Sequence, residues 1–555
     1  MEDRRRMFLA ISLLLLVAVL PSMFRRNAAP PPPPPVPGTN AEPPDNTVTA
    51  PPPTTSPVAP RPEPTIGSDP TTVDDPGTEV VYVRSGLYQY GFSTAGAKMV
   101  EATLYHFRSL REGDQETAQL MPVDSEFLEL SLVYGQDTVR LRDWHFEPSD
   151  ELLEVNGSET RLTWVAQRGR VTVRLTYTFR PDDYLFDVSG EVSGIEDSGL
   201  LLVGMGPHLR SVEVDTTEDQ RAYGIVTKAR NTTNHKFSSL DEGERLALEG
   251  PFEWVAMKSK YFIAAILAIE EGQPPFGGGL AVGGAKTGRS ESRASAIASI
   301  TLPAGSSRFG FSVYVGPQEY RRLAAIGHEL EDANPYGWIF RPIISPVSVV
   351  IVKLLLWLHE NLNMQYGWAL VLFGVSIRIL LWPLNQKAMR SQMAMQALQP
   401  EIEALKKKHE GDQQKVGQAT MALYKERGVN PVGGCLPMLL PMPILFAFFF
   451  VFLNTIELRG VPWLWLPDLS RPDPLYVIPV LMGASMFLVS KLGQKGIPPN
   501  PQSKMMLYIM PAFMTFLFLR FSSGLNLYYA SQNVASIPQQ WLVAKERLRR
   551  AAGIG

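Results

Sequence analysis

The chain has 555 residues, 45% of them apolar, and a formal net charge of -3. That length is enough for more than one domain, and the slightly acidic balance excludes the broad basic excess of a nucleic-acid binder. With one cysteine, Cys435, no internal disulfide is possible, and the seven histidines form no HExxH-type metal spacing with Cys, Asp or Glu.

A mean hydropathy of -0.03 hides a sharp split. Apolar residues concentrate near the N-terminus and after residue 338. Residues 7–24 form one apolar run preceded by Arg4, Arg5 and Arg6. It is just long enough for a hydrocarbon core of roughly 30 Å at about 1.5 Å per residue. No small-x-small cleavage site closes it, so 1–27 reads as a retained signal anchor with its basic end in the cytoplasm. Residues 28–77, including Pro30–Pro35, are a disordered or semi-rigid tether of extended preference.

Residues 78–335 read as a β domain. Val171, Val173, Leu175, Tyr177 and Phe179 alternate with Thr172, Arg174, Thr176 and Thr178, the period of a strand with one buried face. Pro181-Asp182-Asp183 supplies a turn, and Tyr184, Phe186 and Val188 resume the alternation. Further strands are expected at 126–134, 261–269 and 308–315, giving a sandwich, with a closing helix at 317–332. Gly283-Gly284-Ala285-Lys286-Thr287 resembles a phosphate loop but misses the GxxxxGK[ST] spacing. Asn231-Thr232-Thr233 is a sequon of the kind that arises by chance.

Next comes an amphipathic interfacial segment, 336–365, whose stretch 338–360 holds Arg341, Lys353, two prolines and two tryptophans. A true span is the alternative there, and it would invert everything downstream. The membrane core, 366–545, contains spans near 366–384, 435–454, 475–491, 506–521 and 524–543. Loop 385–434 carries Lys387, Arg390, Lys406, Lys407, Lys408, Lys415, Lys425 and Arg427, whereas 455–474 has only Arg459 and Arg471. The basic tail, 546–555, adds Arg547, Arg549 and Arg550. The positive-inside rule then gives six spans, both termini inside and the β domain outside. Within the basic loop, 386–430 reads as a cytoplasmic helical hairpin, interrupted at Pro400 and broken at Gly411.

Two features inside the bilayer invite a functional reading. Arg378 lies within the first core span, and a buried charge there costs about 2.5–3.5 kcal/mol unless it faces protein or water. Snorkelling to the cytoplasmic surface is the alternative. Gly374 lies one turn earlier on the same face and is expected to open space beside the arginine. In the last span Asn526, Tyr529, Gln532, Asn533, Ser536 and Gln540 recur every three or four residues on one side. Such a stripe faces a partner helix or a wet cavity, and a purely structural hydrogen-bonding seam stays open. No acidic residue lies in the five core spans, which argues against a proton-coupled pump.

Several strings then become recognisable. They are Leu398-Gln399-Pro400-Glu401-Ile402, Met421-Ala422-Leu423-Tyr424-Lys425 and Asn430-Pro431-Val432-Gly433-Gly434-Cys435-Leu436-Pro437. After them come Ile456-Glu457-Leu458-Arg459, Asp468-Leu469-Ser470, Asp473-Pro474 and Ser523-Gly524-Leu525-Asn526-Leu527-Tyr528-Tyr529. In this order they resemble the insertases of the YidC type, and the β domain after a first span resembles the Gram-negative form. The resemblance implies an α-helical polytopic membrane bundle, a five-span insertase core plus an N-terminal anchor span, with an all-β supersandwich periplasmic domain. It implies an inner-membrane insertase and chaperone, not an enzyme, without cofactor or metal. A groove open to cytoplasm and lipid and closed to the outside would contain Arg378 and Tyr529. Its partners would be nascent membrane proteins, lipid, the Sec translocon and the ribosome, the last in doubt because the basic tail is short. A transporter or channel, and a membrane-anchored periplasmic binding module, are the competing classes. All the groove candidates lie after residue 360, so the β domain is expected to be largely dispensable for insertion.

Overall fold

The computed structural model describes residues 79–551, apart from 115–116, 196–198, 269–275, 277–278, 288–290, 303–307, 335–339, 384, 387–393, 396–397, 410–411, 430–440 and 497–500. The expected anchor span, the proline tether and Cys435 lie outside the described residues.

The β domain is built from three sheets of five, nine and six strands. The expected strand is Val171–Phe179, with Val173, Leu175, Tyr177 and Phe179 buried and Arg174 exposed. It pairs antiparallel with Leu185–Ser193, placing Tyr177 opposite Val188, and with Thr160–Arg168, placing Tyr177 opposite Leu162. The other expected strands appear as Leu130–Tyr134, Phe262–Leu267 and Arg308–Pro317. Phe262–Leu267 is buried at every position because it lies between Trp254–Lys258 and Arg308–Pro317 in the nine-stranded sheet. Aromatic side chains knit the core together. Phe92 packs edge-on against Tyr177 and Phe186, and the Tyr177 hydroxyl donates to the Ala97 carbonyl at 2.9 Å.

One local reading is borne out and one local expectation changes. The glycine run 283–287 is the end of strand Gly279–Thr287, paired through Thr287 with Glu291–Leu302. Its backbone donors are committed to a neighbouring strand and form no phosphate cradle. The expected closing helix 317–332 is two pieces, α1 (Tyr320–Ile326) and a 3-10 turn at Leu330–Ala333. Gly327 at φ 86° starts the break, and His328 and Glu329 prolong it at φ 53° and 55°.

The helical half starts with α2 (Arg341–Leu362). Among the described residues it is the one helix long and apolar enough to cross a membrane. It nevertheless lies along the closing segment of the β domain. Arg341 pairs with Asp332, Lys353 sits over the Tyr320 ring at 5.8 Å, and Glu360 meets Arg321 at 2.5 Å. Ile343, Val350, Leu354 and Trp357 are exposed on one face, while Ile344, Ile351, Leu355 and Leu358 are buried on the other.

The core helices are α3 (Tyr366–Leu380), α6 (Pro441–Asn454), α7 (Val477–Gly493), α8 (Met510–Phe518) and α9 (Ser523–Ala551). A π-helical turn, Met505–Ile509, leads into α8. The hairpin is α4 (Gln399–Lys408) and α5 (Gln413–Glu426), bridged by Arg427 and Glu401 at 2.9 Å. Pro400 sits in the first turn of α4, where its missing N–H costs nothing. α9 runs on into the basic tail as far as Ala551.

Candidate client groove

The polar face of α9 lies between α3 and α7. Toward α3, a methyl group on Gly374 would stand 3.1 Å from the Tyr528 carbonyl and 3.3 Å from Ser531 Cβ. Further along, Gln539 Nε2 donates to the Trp382 carbonyl at 3.0 Å. Both pairings advance together, so α3 and α9 run in the same direction. Arg378 is therefore bracketed at the level of Gln532 to Ser536 on α9.

Toward α7, Asn533 Nδ2 donates to Ser485 Oγ at 3.2 Å. A methyl group on Gly493 would meet Gln540 Oε1 at 3.0 Å. By helical spacing Tyr529 and Ser536 fall between those two sides. The Tyr529 ring packs edge-on to Phe518 at 5.4 Å, and its hydroxyl is buried without a hydrogen-bond partner. Ser536 Oγ is spent locally, donating to the Asn533 carbonyl at 2.7 Å. Gln532 Nε2 reaches the Tyr528 hydroxyl at 3.4 Å.

The predicted residues thus separate. Gly374 is buried at the helix crossing, where it lets α3 approach α9 instead of opening space beside Arg378. Asn526 is fully buried and caps the preceding helix, donating to the Phe518 carbonyl at 3.0 Å. Asn533 stitches α9 to α7. Arg378 is only partly buried, with Nε covered and unpartnered. The same is true of Gln540 Oε1 and Gln539 Oε1 on the facing helix. Buried polar atoms are costly without partners. Gln539 was missed from the sequence, although it adjoins a stripe residue. Among the described residues no group of three metal-ligating side chains exists.

Loop 455–476 lies between α6 and α7. Asp473 accepts from the Ile478 amide at 2.8 Å and from Trp465 Nε1 at 3.3 Å. Asp468 accepts from the Ser470 amide at 2.8 Å. The loop is joined to α9 through Ser523, whose amide donates to the Arg471 carbonyl at 2.7 Å, and Gly524, whose amide donates to the Leu469 carbonyl at 2.9 Å. These contacts give structural work to Asp468, Asp473 and Ser523, three residues of the recognisable strings.

Comparison with known proteins agrees with this architecture. The family model described as the YidC periplasmic domain matches residues 80–356, and that of the 60Kd inner membrane protein matches 357–550. The membrane protein insertase YidC of Oleidesulfovibrio alaskensis is 32% identical over 84% of this chain and 86% of its own length. That of Syntrophus aciditrophicus is 31% identical over 88% and 91%. A crystal structure of an active YidC insertase with its first transmembrane domain resolved has 20% identity and a TM-score of 0.35, covering 84% of this chain and 94% of its own. The chain belongs to the YidC family of membrane protein insertases.

Proposed function

We propose that the chain inserts client membrane proteins into the bacterial inner membrane through a hydrated groove between α3, α7 and α9, alone or beside the Sec translocon, and helps them fold. The observation that carries this reading is the set of covered, unpartnered polar atoms, Arg378 Nε, Tyr529 Oη and Gln540 Oε1, in a membrane half whose spans hold no carboxylate. In this reading Arg378, Tyr529, Gln532 and Ser536 line the groove. Gly374, Asn526 and Asn533 set its walls by fixing α9 to α3, α8 and α7.

The physics follows from desolvation. A polar client segment crossing hydrocarbon loses its hydration, and a wet groove part-way across shortens the dry path. A cation there attracts acidic client segments more strongly than in bulk water. Client spans then leave sideways, driven by apolar burial. The reading has six spans, both termini in the cytoplasm and the β domain in the periplasm. The closing contacts of α2 with the β domain support an interfacial position for that helix. The ribosome is a further partner through the cytoplasmic hairpin.

The test is depletion in cells followed by protease mapping of small membrane proteins. Translocated segments should stay inside on depletion and be restored by the wild-type chain but not by Arg378→Ala. Ion flux through the purified protein in liposomes, with normal client insertion after depletion, would point instead to a channel.

A further inference from the structure

Arg459 belongs to the outer loop of the membrane half, yet its side chain is buried in the β domain, 3% exposed. Nε donates to Glu213 Oε1 at 2.7 Å, Nη1 to the Arg108 carbonyl at 2.9 Å and Nη2 to the Val212 carbonyl at 3.2 Å. The guanidinium also lies 5.5 Å from the centre of the Phe262 ring. Three residues earlier, Ile456 packs into the β-domain core, whereas Leu458 packs into the helical core. A second clamp acts just before the loop. Asn334 Nδ2 donates to the Asn454 carbonyl at 3.4 Å, and Asn334 is itself held by the buried ammonium of Lys258. That ammonium also donates to the Ala333 carbonyl at 3.2 Å. Two independent clamps therefore flank residue 455, and the loop they hold carries the contacts to Ser523 and Gly524 at the start of α9.

We propose that the β domain is the seat of an outer seal. Arg459 in its Glu213 socket, and Asn454 under Asn334, hold loop 455–476 and through it the first turn of α9, closing the groove on the periplasmic side. Arg459 is a positioning residue, since it acts through the loop. This deepens the groove reading by assigning its outer closure. On this reading the β domain's expected dispensability for insertion and its part in the seal are separable, because the groove side chains sit on α3 and α9 and the seal is held from outside.

The test uses the full chain with Cys435→Ser and one new cysteine, at Thr455 or at Leu525, which are 5% and 2% exposed. An impermeant thiol reagent is added from the periplasmic side of spheroplasts. Both positions should react slowly in the parent. Arg459→Ala should speed labelling at both by about tenfold or more, as expected for loss of charge-assisted hydrogen bonds. Arg459→Lys should recover part of the protection, since an ammonium reaches Glu213 but not three acceptors in a fork. Asn334→Ala should act in the same direction. If Arg459→Ala fails to accumulate, Glu213→Gln and Asn334→Ala carry the test at normal abundance. Unchanged labelling in the variants that accumulate overturns the seal, and so does a rise at Thr455 without one at Leu525. Labelling of Gln532→Cys, at a half-buried position of α9, from the cytoplasmic side of inverted vesicles judges the groove separately. Its absence would sink the groove reading without bearing on the loop clamps.

Discussion

Gly374 on α3 and Tyr528 on α9 touch backbone to backbone, so closely that a single methyl group on Gly374 would lie 3.1 Å from the Tyr528 carbonyl oxygen. This contact sets how near the arginine helix comes to the polar helix. Gly374→Ala should be almost neutral, because a helix-propensity gain of about 1 kcal/mol offsets a few tenths of an ångström of displacement. Gly374→Leu should destabilise by about 1–3 kcal/mol through overpacking. Thermal unfolding of the purified protein in detergent measures both. An unchanged midpoint for Gly374→Leu would mean that the two helices are not packed there.

Arg378→Lys should keep more client insertion than Arg378→Ala. The charge persists in a hydrated space, although the forked donor is lost. Abundance and protease resistance are measured alongside insertion, so that collapse of the bundle is not mistaken for lost function. Equal loss in both variants, at normal abundance, would make the guanidinium geometry rather than the charge the requirement.

Photo-crosslinkers at Tyr529 and Gln532 should capture a nascent client more than one at Val534, which is 56% exposed away from the helix contacts. Leu527 is unsuitable as a comparison because it is buried in the bundle, and Gly374 because it is filled by α9. Equal capture at Val534 and Tyr529 would reduce the stripe to a structural seam.

Single cysteines at Ser391 and Pro472, in a Cys435→Ser background, test the orientation. An impermeant reagent outside should label only position 472, an exposed site in the outer loop. Labelling at 391 in intact spheroplasts would invert the membrane half.

Glu457, in loop 455–476, has a covered and unpartnered Oε2. Burial first, and the nearby Glu319 charge, push its carboxyl up from 4.5 to about 7, while backbone amides of Glu457 and Tyr320 and the charge of Arg321 oppose this. Tyr366 faces it from α3. Folding therefore takes up a proton between those values. The contribution to stability is complete below about 4.5 and lost as pH rises through about 7, by at most ~3 kcal/mol. Glu457→Gln should flatten the fall in thermal midpoint between pH 5 and pH 8 relative to the parent, about as far as that contribution reaches. Parallel pH profiles would show that Glu457 ionises normally.

The two periodicities carried much of this molecule. Alternation at Val171–Phe179 named a strand and its buried face because side chains on a pleated ribbon must alternate, whatever the sheet around them. Apolar runs placed α3, α7, the end of α6 and the start of α9 to within a few residues, since only a helix satisfies its own backbone over such lengths, whereas α9 runs on past the expected span to Ala551. The three- and four-residue spacing from Asn526 to Gln540 fixed which residues share a side of α9.

Which helix each of those residues meets was decided only by tertiary packing. A periodic pattern states a direction on one helix but not the identity of the neighbour in that direction. Asn533 therefore turned toward α7, Asn526 toward the end of α8, and Gly374 into a crossing, while Tyr529 was left unpartnered between them. The Arg459–Glu213 pair is the extreme case. Its members are 246 residues apart, and a charge in a loop reads as solvated until another domain is found around it.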